Sequence, residues 1–238
     1  MKKILIVSRR LTRKNKLVNW VSEIYLELLA GRGVMPIIVP IAESTKEILN
    51  EYLSDYDGML MMEGGDINPI HYGENYPIEE LDECDPLKDE IEIACLRHAI
   101  QSNKPILGFC RGMQLINLLH GGKIHKDVHE VSNFKVIHIN YENYDNYRHS
   151  IRLVDNTPLA EWYKMPELSV NSYHHQGIKV LGDGLVPMAY SEDELIEGVY
   201  NPSHRFLVGL QFHPERMYNE YEGNKLVFDS FVEAVKEQ

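Results

Sequence analysis

The chain reads as an α/β protein: a mostly parallel sheet with helices on both faces, and antiparallel hairpins added in the second half. Three observations carry that reading. Short aliphatic runs alternate with amphipathic stretches through the first half, the pattern of successive strand-helix units. In the second half the helical stretches give way to short strands separated by turn residues. The 238 residues, 44% apolar and 25% charged, suit one domain spanning 1–238, with no repeat and no linker-like tract.

Lys3–Val7 has the aliphatic character of a strand buried on both faces. Leu17, Trp20, Val21, Ile24, Leu28 and Leu29 recur at helical spacing and predict a helix that Gly31 and Gly33 stop. Met35–Val39 is a second strand, closed by Pro40. Ser44 and Glu47 have the spacing of a capping box, in which each side chain satisfies a free amide at a helix start. Gly58–Met62 forms a third strand that runs into Glu63-Gly64-Gly65-Asp66. Asp85-Pro86 opens a third helix with a capping carboxylate and a proline at its first position. Pro105–Phe109 is a fourth strand, and Met113–Leu119 a helix that ends at Gly121-Gly122. Beyond it, Ile151–Val154, Leu168–Ser172, Val186–Ala189, Ile196–Tyr200 and Phe206–Gln211 are strands, followed by a terminal helix carrying Phe228, Phe231, Val232 and Val235.

Composition narrows the function. No apolar run approaches the ~18 residues that span a bilayer, and Ile4–Val7 is shorter than the core of a signal peptide. Three cysteines exclude a disulfide framework and point to the cytoplasm. A net charge of −12 argues against nucleic-acid or anionic-membrane partners. The charge is unevenly spread. Seven basic residues precede the first acidic one, Glu23, leaving 17 basic against 36 acidic residues, a net −19, on the rest.

Gly108-Phe109-Cys110-Arg111-Gly112 lies between a strand and a helix and has the form of a nucleophile elbow. Flanking glycines let neighbouring chains approach a sharp turn, the helix N-terminus favours a thiolate, and free amides there can receive an oxyanion. Cys84 and Cys95 lack this setting. A cysteine nucleophile needs a base and an orienter. Gln211-Phe212-His213-Pro214-Glu215 supplies both: in extended chain, positions two apart share a side, so Glu215 can reach the His213 imidazole, and Pro214 stiffens the pair.

The run Gly108–Asn117 followed by Gly121-Gly122 resembles the signature of class I glutamine amidotransferase-like proteins, and within them the γ-glutamyl-γ-aminobutyrate hydrolase branch. Gly64–Pro69, Val170–Gln176 and Gln211–Glu215 match in the same order, so the resemblance covers almost the whole chain. It implies a flavodoxin-like three-layer sandwich and a triad of Cys110, His213 and Glu215. It also implies an oxyanion hole from the Gly65 and Arg111 amides, and glutamyl contacts from Gly64, Gln114 and the Ser172–Tyr173 backbone. The implied reaction is hydrolysis of a γ-glutamyl amide through a cysteine thioester, without cofactor, in a protein whose relatives often form homodimers. Lys123 stands where the branch commonly has threonine, a departure that bears on the acceptor. A glutaminase subunit feeding ammonia to a partner synthetase, and an idle binding protein on the same fold, are the alternatives. Arg111 directly after the nucleophile resembles the hydrolases more than the subunits.

Metal binding is set aside. His125 and His129 are four apart, but Lys126 stands where a zinc-protease helix needs glutamate, and no Cys-x-x-Cys pair occurs. His174-His175 is expected to order the substrate loop. The basic N-terminus suggests a further role. Arg9 and Arg10 directly follow the first strand, where ligands sit in open α/β sheets, and paired guanidinium contacts suit carboxylate or phosphate. An anionic leaving group received by Arg9 and Arg10 is the expectation; a dimer contact or a solvated loop is the alternative.

Overall fold

The computed structural model describes residues 1–237. Its strands are β1 (Lys3–Val7), β2 (Arg9–Arg13), β3 (Lys16–Trp20), β4 (Met35–Val39), β5 (Gly58–Met61), β6 (Ile106–Phe109), β7 (Lys123–His125), β8 (Arg148–Leu153), β9 (Glu167–Asn171), β10 (Gly177–Val180), β11 (Val186–Ser191), β12 (Ile196–Tyr200) and β13 (Leu207–Leu210). The helices are α1 (Glu23–Ala30), α2 (Glu43–Glu47), α3 (Leu49–Ser54), α4 (Pro86–Gln101), α5 (Arg111–Leu119), α6 (Pro158–Tyr163) and α7 (Glu222–Lys236).

Nine strands form one sheet in the order β4-β1-β5-β6-β13-β12-β11-β8-β9. The first five are parallel to one another. Among themselves they run 2-1-3-4-5 in chain order, the flavodoxin-like arrangement that places ligands beyond the carboxyl ends of the strands. The remaining four add on antiparallel. Alternation along β1 explains the two cores: Ile4 and Ile6 face one layer, Leu5 and Val7 the other. The first layer is closed by α1, α6 and α7, where Phe228 packs on Phe109 with ring centroids 5.6 Å apart. The second is closed by α3, α4 and α5. Each fully buried Leu, Ile or Phe contributes roughly 1.5–3 kcal/mol.

Two expectations are corrected. The helix predicted from Leu17 onward begins only at Glu23, and residues 9–20 form an antiparallel hairpin, β2–β3. Lys14 and Asn15 both take positive φ (50° and 58°), as a two-residue type I′ turn requires. Leu17 fits the helical spacing but is 65% exposed, so no core holds it on a helix face. The capping box also fails. Helix α2 starts at Glu43 with Ala42 as its N-cap and no side-chain cap, which puts Ser44 inside the first turn. By contrast, Asp85 caps α4 as expected, accepting from the Leu87 and Lys88 amides, with Pro86 first in the helix.

Candidate active site

Strands β5, β6 and β13 end side by side, and the chain leaving each contributes to one cavity of about 410 Å³. Beyond β6 stands Cys110, at φ 51° and ψ −106°, the turn from which α5 springs. Its amide donates to the Leu210 carbonyl of β13 (2.7 Å), so the ladder itself holds the strained residue in place. The flanking glycines are required by space. A Cβ on Gly112 would lie 2.8 Å from the Met61 carbonyl oxygen, and one on Gly108 would lie 2.8 Å from the Gly112 backbone.

Beyond β13, His213 and Glu215 are buried side by side, with Nδ1 2.8 Å from Glu215 Oε1. Asn171 clamps the His213 backbone from both sides: its Oδ1 accepts from the His213 amide (2.8 Å) and its Nδ2 donates to the His213 carbonyl (2.9 Å). The second ring nitrogen, Nε2, has no hydrogen bond of standard geometry and lies against the Cys110 thiol. Burial alone would lower the imidazole pKa; Glu215 and Cys110 outweigh it and raise it to about 10. The pair is therefore poised as imidazolium beside sulfur.

A second carboxylate backs this pair. The Tyr25 hydroxyl lies 2.6 Å from Glu63 Oε2 and 2.9 Å from Glu215 Oε1, offering one proton to two buried acids. Burial pushes the Glu63 carboxyl up, but the charge on His213, the Tyr25 hydrogen bond and Arg216 hold it below the ordinary carboxylate range. Arg216 in turn lies over the Tyr173 ring, 4.6 Å from its centroid.

Beyond β5 the Gly64-Gly65 loop is held by a side chain from the elbow. The Arg111 guanidinium is buried and donates to the Gly65 carbonyl (3.2 Å), Asp89 (2.6 Å) and Glu92 (2.8 and 3.0 Å). Lys88 completes the cluster on Glu92. A Cβ on Gly65 would meet the Asp82 and Glu83 carbonyls at 2.6 Å. Arg111→Ala removes the one guanidinium between Asp89 and Glu92, and the uncompensated buried charge is expected to cost about 3–5 kcal/mol. Urea unfolding of the variant checks this; an unchanged midpoint would show that Lys88 suffices.

A model of the Peptidase C26 family matches residues 6–215. The chain belongs to the Peptidase C26 family. YvdE of Lactococcus lactis, a glutamine amidotransferase-like protein, is 33% identical over 217 residues, 90% of this chain and 89% of its own. The γ-glutamyl-γ-aminobutyrate hydrolase PuuD of Escherichia coli is 29% identical over 237 residues, 96% of this chain and 91% of its own. Among solved structures, a GMP synthase subunit from Thermoplasma acidophilum superposes with a TM-score of 0.66 at 20% identity, covering 100% of this chain and 95% of that one. That likeness is one of fold.

Within this Peptidase C26 chain the cavity brings together Cys110, His213, Gly64, Gly65, Gln114, Tyr173 and Arg9. Gln114 is oriented by donating to the Gln176 carbonyl (3.1 Å) and Gln211 Oε1 (3.3 Å). Ser172 is buried behind the wall, its hydroxyl donated to the His138 carbonyl. The expectation of a basic rim is corrected. Consecutive residues on β2 face opposite ways, so only Arg9 reaches the cavity, while Arg10 turns outward and forks onto Asp85 at 2.7 and 2.9 Å. Arg9 is itself paired, with Glu83 at 2.8 Å and Glu63 at 3.7 Å, and stacks on Trp20 across the hairpin. His175 ties its loop to Asp66 at 2.8 Å and Asp127 at 3.4 Å, and these acids raise its pKa to about 9 against burial, while His174 is buried and turned away from them. Sequence reasoning missed Tyr25, Glu63, Asn171 and Arg216. Glu63, Asn171 and Arg216 each adjoin or lie within a motif and so carried a signal of position; Tyr25 carried none.

Proposed function

We propose that this chain hydrolyses a γ-glutamyl amide through Cys110. The observation that carries the reading is the convergence of Cys110, His213–Glu215 and the Gly65 loop from three adjacent strand ends onto one cavity. The similarity to a γ-glutamyl-γ-aminobutyrate hydrolase along nearly the whole chain supports the substrate class. The Cys110 thiolate adds to the γ-carbonyl carbon, and the amides of Gly65 and Arg111 receive the resulting oxyanion. The C–N bond then breaks as the His213 proton passes to the leaving nitrogen, giving an amine and a glutamyl thioester. Water adds to the thioester carbon while His213 takes its proton. The C–S bond breaks, returning thiolate and imidazolium and releasing glutamate.

The glutamyl end faces Gln114 and the Tyr173 side of the cavity, and the acceptor lies toward Arg9, Tyr141 and Tyr144. That outer wall carries mixed charge: Arg9 and Arg216 against Asp66, Asp82 and Glu83. The test is a panel of γ-glutamyl amides whose leaving amines are anionic, neutral or cationic, alongside glutamine. Cleavage of at least one with release of glutamate is expected, and no cleavage across the panel would remove the reading. Arg9→Ala should raise KM several-fold for the anionic member and spare the neutral one. Equal effects on both would take Arg9 out of acceptor binding.

A further inference from the structure

A second constellation lies behind the substrate loop, away from the thiol. Glu197 on β12 is fully buried, and both carboxylate oxygens lack a hydrogen-bond partner among the described residues. Three histidine nitrogens surround its Oε1: His138 Nδ1 at 3.5 Å, His174 Nε2 at 3.6 Å and His149 Nε2 at 3.7 Å. All three nitrogens are likewise buried and unpartnered. The four donor atoms lie within 4.8 Å of one another. They come from four separate segments: the connection before β8, β8 itself, the loop after β9, and β12.

For two of the three rings, protons do not explain the arrangement. The other nitrogen of His149 faces the Ser150 carbonyl (3.1 Å), and that of His174 faces the Gln176 carbonyl (3.0 Å). Carbonyls only accept, so Nδ1 carries the hydrogen in both rings, and a neutral ring then turns a bare lone pair toward the carboxylate. The far nitrogen of His138 lies 3.4 Å from Asp193, which is fixed by the Ser191 hydroxyl and two backbone amides. Lone pairs converging on an anion repel. Were the rings protonated instead, the 3.5–3.7 Å separations would exceed the ~2.7–3.2 Å of an N–H···O bond. A bridging water with four partners at about 2.8 Å would hold them roughly 4.6 Å apart, wider than the 3.5–3.7 Å between the histidine nitrogens and Glu197 Oε1.

The geometry points to a divalent transition-metal site, best suited to zinc, formed by His138, His149, His174 and Glu197. Zinc bonds of about 2.0–2.2 Å in a tetrahedron place their donor atoms about 3.3–3.5 Å apart, close to the spacing around Glu197. Three imidazoles and one carboxylate are ligands zinc accepts, and carbonyl or carboxylate partners on the outer ring nitrogens are the usual means of orienting such ligands. Four protein ligands close the coordination sphere, so the ion is structural. Its place defines its role. The His138 carbonyl accepts from the Ser172 hydroxyl and the His174 amide, and Ile139 bridges to Tyr173. The ion fastens the segment carrying Ile139, Tyr141 and Tyr144 to the loop that carries Tyr173, both walls of the cavity.

The full chain, produced without a histidine tag, is expected to carry one zinc per molecule by elemental analysis. After chelation, cobalt(II) titration should saturate at one equivalent with the intense visible absorption of four-coordinate cobalt. His149→Ala and Glu197→Gln should each weaken uptake roughly 100-fold or more, while His125→Ala keeps it. Where those variants do not fold, 15N spectra of wild-type histidines decide: zinc should move Nε2 of His149 and His174 and Nδ1 of His138. The inference is overturned by a wild-type chain that neither carries nor takes up zinc or cobalt at stoichiometric concentration. It is equally overturned by an ion retained in both variants. Metal content is independent of amide cleavage, so it stands or falls apart from the proposed reaction.

Discussion

Replacing Cys110 with alanine is expected to lower turnover roughly 10⁴-fold or more, leaving only what binding and the amide donors supply. The same change at Cys84 or Cys95 should leave most activity. Burial, helped by Asp89 and Glu92 respectively, pushes the Cys84 thiol to about 11 and the Cys95 thiol to about 12. Neither lines the cavity. Iodoacetamide near neutral pH should therefore label Cys110 first, and loss of activity should follow that label. Activity surviving in Cys110→Ala, or vanishing in Cys84→Ala, would sink the assignment of the nucleophile.

The second large effect concerns Glu215. Glu215→Gln keeps an acceptor for the His213 ring but removes the charge that holds the imidazolium. A fall in kcat of about 10²–10⁴-fold with little change in KM is expected, since the carboxylate acts on charge that develops in the reaction. The pH profile gives an independent readout. If His213 is the proton donor proposed above, its proton is lost as pH rises through about 10, and the wild-type rate should fall on that basic limb. In the glutamine variant the limb should move down toward the ordinary histidine range, near 6.5. The sign for stability follows the same shift. A histidine whose pKa is raised by folding contributes fully below about 6.5 and loses that contribution as pH climbs through about 10. An unmoved limb would transfer the role to Glu63.

How much of this was legible from sequence depended on whether one segment held the information. Cys110 could be read because a glycine-flanked cysteine at a strand-to-helix junction is a local pattern, and His213 with Glu215 because two residues of extended chain share a side. The parallel sheet was legible because β1, β5, β6 and β13 are buried on both faces and show as aliphatic runs, and the edge strand β4, though it exposes Met35 and Ile38, keeps that composition. The β2–β3 hairpin was not, because Leu17 and Trp20 imitate a helical stripe and Lys14-Asn15 is a weak turn signal. Arg9 and Arg10 looked equivalent until strand alternation sent them to opposite sides. Tyr25, His138, His149 and Glu197 gave no pattern at all, and Glu63 and His174, though inside recognisable motifs, showed nothing of the partners they meet. They meet only through long-range packing, and no spacing along the chain encodes it.

The brace made by Arg111 has a consequence for how such a site can change over time. Its guanidinium runs inward from the elbow to Gly65, Asp89 and Glu92, so the inner wall is anchored on α4 and the parallel strands. The outer wall, with Ile139, Tyr141 and Tyr144, belongs to a connection that meets the opposite, antiparallel side of the sheet. The two walls thus answer to different foundations. Replacement of the outer connection leaves the spacing between the elbow and the glycine loop untouched. A lineage carrying this fold can therefore exchange what it accepts on one side of the cavity while inheriting the other side intact.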